Sequence, residues 1–175
     1  MNRLSAILSI TLLTLVLQTA DAQFIRTKVD FPFGLSFPEF FHGGIRYQYA
    51  EFGQAGIFYG GDLGIEPSVI RTWTGDNMIH FGKVSYHSNR PVWYARQGFT
   101  YSIHTEEDRI FKYSYINLGL GHDFPLNNRI GINADMGMIL QVREKQEFRD
   151  DSVDPWYRTN WIWRYLVRIQ LYISI

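Results

Sequence analysis

The chain has 175 residues, no cysteine, and 17 basic residues against 17 acidic ones. Without cysteine there are no disulfides and no thiolate metal sites, and a net charge of +0 gives no footing for nucleic-acid binding. Aromatic residues make up 17% of the chain, a proportion that suits sheets and boundaries between apolar surface and water.

Met1-Asn2-Arg3 is a short basic start. An apolar stretch from Leu4 to Leu17 follows, then Ala20-Asp21-Ala22 with small-x-small spacing. The three regions in this order predict a secretory signal peptide over residues 1–22, with Gln23 first in the mature chain. No later stretch is long and apolar enough for a transmembrane helix. A membrane location would therefore need strands.

Residues 23–40 are expected to form an N-terminal segment, either an extra strand or a tail. Ile25, Val29, Phe31, Phe33, Leu35 and Phe37 share a parity, but Pro32 and Pro38 suit an edge, bend or tail better than a central strand. Residues 41–175 are expected to form one domain of strands with period-two alternation. Phe41 to Phe52 and Ala55 to Glu66 are the first two. Thr74 to Asn77, "TGDN", reads as a hairpin turn between short strands at 66–74 and 78–87. The alternative keeps 67–87 as one long strand and recruits the 23–40 segment. Val92 to His104, Phe111 to Phe124, Arg129 to Arg143 and Trp161 to Ile175 complete the set, with "PLNN" as a tight turn before Arg129. Both partitions total eight strands.

One face of each strand is apolar and the other is mostly polar. A soluble sheet would bury the apolar face, whereas a membrane barrel turns it to lipid and keeps the polar face inside. The polar faces repeatedly carry glycine: Gly56, Gly60, Gly98, Gly119, Gly121, Gly131 and Gly137. Small residues make room for large ones in a narrow interior. The expected fold is therefore all-β, a closed antiparallel up-and-down transmembrane β-barrel of about eight strands. Arg46, Asp62, Glu66, Arg96, Asp135, Arg164 and Arg168 are expected to form a charge network in its lumen. Fixed charges of both signs can neutralise one another there, and the Arg fork suits carboxylates. Ile130, Ile132, Met136, Met138, Leu140, Val167, Ile169 and Leu171 are expected on the lipid face. Trp161, Trp163 and Tyr165 are expected to anchor the last strand at a membrane interface.

Two blocks, "FGKVSYHSNRPVWYARQGFTYS" from Phe81 to Ser102 and "YSYINLGLGHDFPLNNRIGINADMG" from Tyr113 to Gly137, carry a resemblance. On them the chain resembles the small outer-membrane β-barrel proteins of Gram-negative bacteria. The resemblance implies an outer-membrane location, contact with outer-membrane lipid, and a C-terminal strand read by the barrel-insertion machinery. Ile175 stands where such strands usually end in an aromatic residue. The resemblance also implies periplasmic turns at "PLNN" and "SNRP", and outer loops at Thr105 to Arg109 and Glu144 to Arg158. An unknown extracellular partner would meet the 144–158 loop, the longest and most charged.

Such barrels include porins, structural barrels, adhesins and a lipid A deacylase that uses His and Ser. A base and a nucleophile on one strand face need i, i+2 spacing, and His87 and Ser88 are adjacent. Ser85 lies two before His87, with no carboxylate evident to orient the ring. His42, His80, His104 and His122 lack metal-ligand spacing, and the acidic runs at Glu106–Asp108 and Asp150–Asp154 lack calcium-loop spacing. No catalytic, cofactor-binding or metal residue is expected. The expected role is a non-enzymatic structural or surface-interaction barrel, its lumen plugged by charged side chains because eight strands leave only enough width for side chains. A lipid-modifying enzyme, a small pore and a soluble lipocalin-like carrier are the alternatives.

Overall fold

A strand whose two faces differ in polarity must hide one of them. A sheet that curls shut does this and also leaves no unpaired edge. The computed structural model describes residues 28–37, 40–62, 69–148 and 162–175, together with the backbone of 156–158. The predicted signal peptide, Glu66 and Trp161 lie outside the described residues.

The strands are β1 (Val29–Phe37), β2 (Phe40–Ala50), β3 (Gly53–Gly61), β4 (Val69–Val84), β5 (Pro91–Thr105), β6 (Arg109–Pro125), β7 (Ile130–Phe148), β8 (Trp156–Arg158) and β9 (Ile162–Ser174). Each of β1 to β7 pairs antiparallel with the next, β7 pairs with β9, and β9 pairs with β1. The result is a closed ring of eight strands, as the alternation predicts. The closing ladder runs without a break from Asp30↔Ser174 to Phe37↔Val167. Strand β8 stands above the rim, where it pairs with Glu144–Gln146 at the far end of β7. Residues 28 and 175 lie at one end of the ring with the turns at 51–52, 85–90 and 126–129. Glu106–Asp108 and the extension of β7 lie at the other.

One expectation needs correction, and the alternative partition, one long strand in place of the split with the N-terminal segment recruited, is the one observed. "TGDN" is not a hairpin turn: Thr74 to Asn77 sit in the middle of β4, paired with β3 on one side and β5 on the other. Its turn-forming residues keep the strand's parity, with Thr74 and Asp76 inward and Gly75 and Asn77 outward, so long-range pairing overrides the local turn signal. The eighth strand comes from the 23–40 segment instead. Pro32 is buried within β1, and its cost is local. The β1–β2 ladder skips Phe31 and Pro32, while the β1–β9 ladder pairs Pro32 with Tyr172. The missing N–H falls on the side where the ladder already opens.

Apolar side chains point outward. Met136 is 70% exposed, Ile57 68% and Leu120 59%. Inward positions carry polar residues and glycines. Gly121 lies against the Tyr94 ring and Gly131 against the Tyr172 ring, so closely that a Cβ at either would collide with it. These glycines are what admit two tyrosines into an eight-stranded ring. A smaller apolar cluster of Tyr115, Ile139 and Leu166 lies inside toward the rim that carries the β7 extension.

Gly121→Ala is expected to destabilise the barrel by about 1–3 kcal/mol through overpacking, measured by urea unfolding of the refolded protein. In a Tyr94→Ala background the same change is expected to cost much less, because the ring it strikes is gone.

Candidate functional site

The interior is a polar core strung on eight strands. Four arginines (Arg46, Arg90, Arg96, Arg168) and four aspartates (Asp30, Asp76, Asp123, Asp135) are buried there. Burying a lone ion costs several kcal/mol, so equal numbers of each sign matter. They fall into connected groups.

Near the end that carries residues 28 and 175, Arg90 joins two carboxylates. Its Nη1 donates to Asp30 Oδ2 at 3.0 Å and its Nε to Asp123 Oδ2 at 2.8 Å. Asp30 also accepts from Gln54 Nε2 at 2.9 Å and from Ser174 Oγ at 2.5 Å. Asp123 also accepts from Tyr172 Oη at 2.8 Å and from Asn133 Nδ2 at 3.2 Å. The Arg90 guanidinium lies 5.0 Å from the Tyr172 ring centroid, within cation–π range. His80 is held between Pro91 O at 2.8 Å and Gln54 Oε1 at 3.0 Å.

Further along the axis, Arg168 joins Asp135 and Asp76. Its Nε donates to Asp135 Oδ2 at 2.9 Å and its Nη1 to Asp76 Oδ2 at 2.7 Å. Arg96 donates to Asp135 Oδ1 from Nε at 3.1 Å and Nη2 at 2.9 Å, and Tyr94 Oη donates to Asp135 Oδ2 at 3.1 Å. Asp135 therefore accepts from three side chains on β5 and β9. A final neutral set links Thr74, Thr100 and Asn117.

Arg46 connects the two charged groups. No carboxylate lies in salt-bridge range of it among the described residues. Its Nη1 donates to Asn133 Oδ1 and its Nη2 to Gln170 Oε1, each at 2.7 Å. Asn133 in turn donates to Asp123, so the amide relays between Arg46 and the group with one carboxylate in excess. Arg46 and Arg168 lie 5.6 and 5.5 Å from the Phe58 ring centroid.

The structure brings together four of the seven predicted lumen charges: Arg46, Arg96, Asp135 and Arg168. Asp62 is only half-buried, at the end of β3, and accepts from Ile70 N–H at 3.2 Å. Arg164 has the inward parity but is exposed near the rim, where the interior opens. The prediction missed Asp30, Asp76, Arg90 and Asp123. Parity could have found three of them. Asp76 aligns with Thr72 and His80, Asp30 with Gly34 and Ser36, and Arg90 with Tyr94 and Arg96. Asp123 already stood on the polar face of its strand.

Of the predicted lipid-face residues, Met136, Met138, Val167 and Ile169 are exposed outward, and Ile130, Ile132 and Leu171 are half-buried. Leu140 has the outward parity but is 8% exposed, flanked by its register partners Ile116 and Trp163. Trp163 and Tyr165 are exposed. His87 is exposed in the 85–90 turn, where its N–H donates to Ser85 Oγ at 3.2 Å. The polar interior is not the apolar cavity that a lipocalin-like carrier would need.

Beyond the rim, the paired ends of β6 and β7 continue as a charged two-stranded ribbon. Lys112 Nζ donates to Glu147 at 2.5 Å, and Lys145 pairs with the same carboxylate. These two ammonium groups hold the Glu147 carboxyl below the usual carboxylate range.

No family model matches the chain, and no curated protein is similar to it in sequence. Solved structures share its fold. The N-terminal β-barrel domain of Pseudomonas aeruginosa OprF is 11% identical, with 85% of this chain and 96% of that one aligned at a TM-score of 0.50. A major outer membrane protein from Thermus thermophilus is 13% identical, with 86% and 100% aligned at a TM-score of 0.50.

Arg90→Met is expected to destabilise the barrel by about 3–5 kcal/mol, because Asp30 and Asp123 would be left buried without their shared cation. Arg164→Met, at the exposed rim, is expected to change stability by less than about 0.5 kcal/mol. Denaturant unfolding of both variants checks the contrast.

Proposed function

We propose that this chain is an outer-membrane β-barrel with a structural or surface-interaction role rather than an enzymatic one. Its lumen is plugged by charged side chains. The observation that carries this reading is the interior network. Four buried arginines are offset by four buried aspartates, and hydrogen bonds tie β1, β2, β4, β5, β6, β7 and β9 to one another across the ring. A pore needs mobile water and ions along its axis. Here the axis is crossed by side chains bonded to partners on facing strands.

The outward face supports the location. It carries Phe33, Leu35, Ile57, Leu118, Leu120, Met136 and Val167 exposed at once. So large an apolar surface on a monomer marks a membrane or protein contact. Rings flank it, with Trp73 and Tyr59 toward one end and Phe81, Trp93 and Phe124 toward the other. An N-terminal signal peptide would take the precursor across the inner membrane. The C-terminal strand would serve the insertion machinery, and its pairing with β1 is the step that closes the ring. The end of β7 and the short β8 lie beyond the rim opposite residues 28 and 175, and an extracellular partner would meet the 144–158 segment there.

Wild-type protein reconstituted in planar bilayers is expected to show no steady conductance steps. A stable open level in the wild type would overturn the plug and favour a pore. Met136→Arg is expected to cost about 2–4 kcal/mol of unfolding free energy in lipid if the side chain lies near mid-membrane. Normal stability of that variant would count against lipid contact on this face.

A further inference from the structure

The outward face is apolar between its two belts of rings, with one interruption. On β4 the belts are Trp73 and Phe81, and midway between them is Asn77. On β5 they are Trp93 and Tyr101, and midway is Gln97. Asn77 and Gln97 are register partners. They are the only amides on the outward face between the belts among the described residues. Asn77 has its oxygen accounted for within the barrel, because Tyr49 Oη reaches over from β2 and donates to its Oδ1 at 2.8 Å. Gln97 is exposed, and its amide has no hydrogen-bond partner among the described residues.

That position is costly in hydrocarbon. No water is present there to satisfy an amide, and polar side chains at mid-depth are rare unless they find a partner. The surroundings allow a close approach. Gly75, outward on β4, has nothing within 4 Å of where a Cβ would stand. Ala55 pairs with Asn77, and Ala95 is the next outward residue from Gln97. On its other side Gln97 borders a shallow groove of about 870 Å³ over Ala95, Gly119 and Ala134.

We infer that this face of β4 and β5 is where a second copy of the chain docks within the membrane, Gln97 amide to Gln97 amide. The inference rests on the membrane reading proposed above. Copies inserted by one route share one orientation, so Gln97 of each lies at the same depth. A twofold axis parallel to the barrel axis brings the two residues face to face, as an isologous contact requires. An amide carries both a donor and an acceptor, so two of them satisfy each other reciprocally. A carboxylate or an ammonium in the same place would repel its copy. Small residues on one side of Gln97, Gly75, Ala55 and Ala95, leave room for the partner, as small residues do between membrane helices, while the exposed Phe99 and Leu118 beside it pack against the facing copy.

The chain has no cysteine, so a single introduced thiol reports position cleanly. Gln97→Cys and, across the ring, Leu35→Cys would be expressed separately, outer membranes oxidised with copper phenanthroline, and the products run without reductant. Gln97→Cys is expected to give a disulfide-linked homodimer in several-fold higher yield than Leu35→Cys. Equal yields would mean random collision and would overturn the inference, as would a disulfide to a different protein. If Gln97→Cys fails to fold, Ala95→Cys reads the same face. Gln97→Leu keeps the surface apolar and is expected to lower energy transfer between labelled copies in vesicles. Undiminished transfer would overturn the amide pair. Unboiled gel mobility of every sample separates the two readings. A mobility shift without dimers sinks this contact alone, whereas a wild type with no shift in the membrane fraction sinks the membrane reading and the contact with it.

Discussion

The backbone hydrogen bonds between β9 and β1 make this molecule a barrel rather than a ribbon. Every other ladder of the ring joins strands consecutive in the chain, or β7 and β9 with only the short β8 between them, and could form in an open meander. The β1–β9 ladder joins residues at least 130 positions apart, from Asp30↔Ser174 to Phe37↔Val167. Once it forms, no strand of the ring keeps an unpaired edge, and one face of the sheet is turned inward along most of its length. The inside and outside that follow from closure decide the environment of every other side chain.

Closure also poses the interior's main problem. Eight strands leave a space that side chains fill, and the inward parity of these strands delivers mostly polar ones. Each buried charge loses its hydration and regains it only through fixed partners. The groups around Arg90, Arg168 and Asp135 meet most of that demand with charge pairs supplemented by Tyr, Ser, Gln and Asn, leaving Arg90 Nη2, Arg168 Nη2 and Asp76 Oδ1 without a hydrogen bond among the described residues. Arg46 meets it differently, through two amides and the face of Phe58. Because most partners sit on different strands, the network ties together the walls that closure merely joins at their edges.

The outward surface follows the opposite logic. It has no partner within the molecule, so its composition records what lies outside. Rings at two levels with aliphatic residues between them describe an apolar slab, and the amide pair Asn77 and Gln97 is the one departure inside it. The same principle reads both faces: a polar group away from water needs a partner, in the barrel or beyond it.

How much of this was legible follows from the range of the forces involved. Period-two alternation is local, so Phe111 to Phe124, Arg129 to Arg143 and the final strand were readable, and so was the direction each face would take. Arg46, Arg96, Asp135 and Arg168 could be placed inside from parity, once the glycine-rich polar faces were taken as the inner ones. Failure came where a local signal competed with pairing across the ring. Thr74 to Asn77 has the composition of a turn, yet two neighbouring strands hold it extended, and Pro32 looks like a strand breaker until a gap in one ladder absorbs it. Arg90 looks like a turn residue because its value comes from Asp30 and Asp123, 60 and 33 positions away. The sequence by itself determined that there would be eight two-faced strands and which residues each face would hold. Only the tertiary structure decided which charge meets which, because a hydrogen bond across a closed ring depends on shear and register, and neither is written in any single strand.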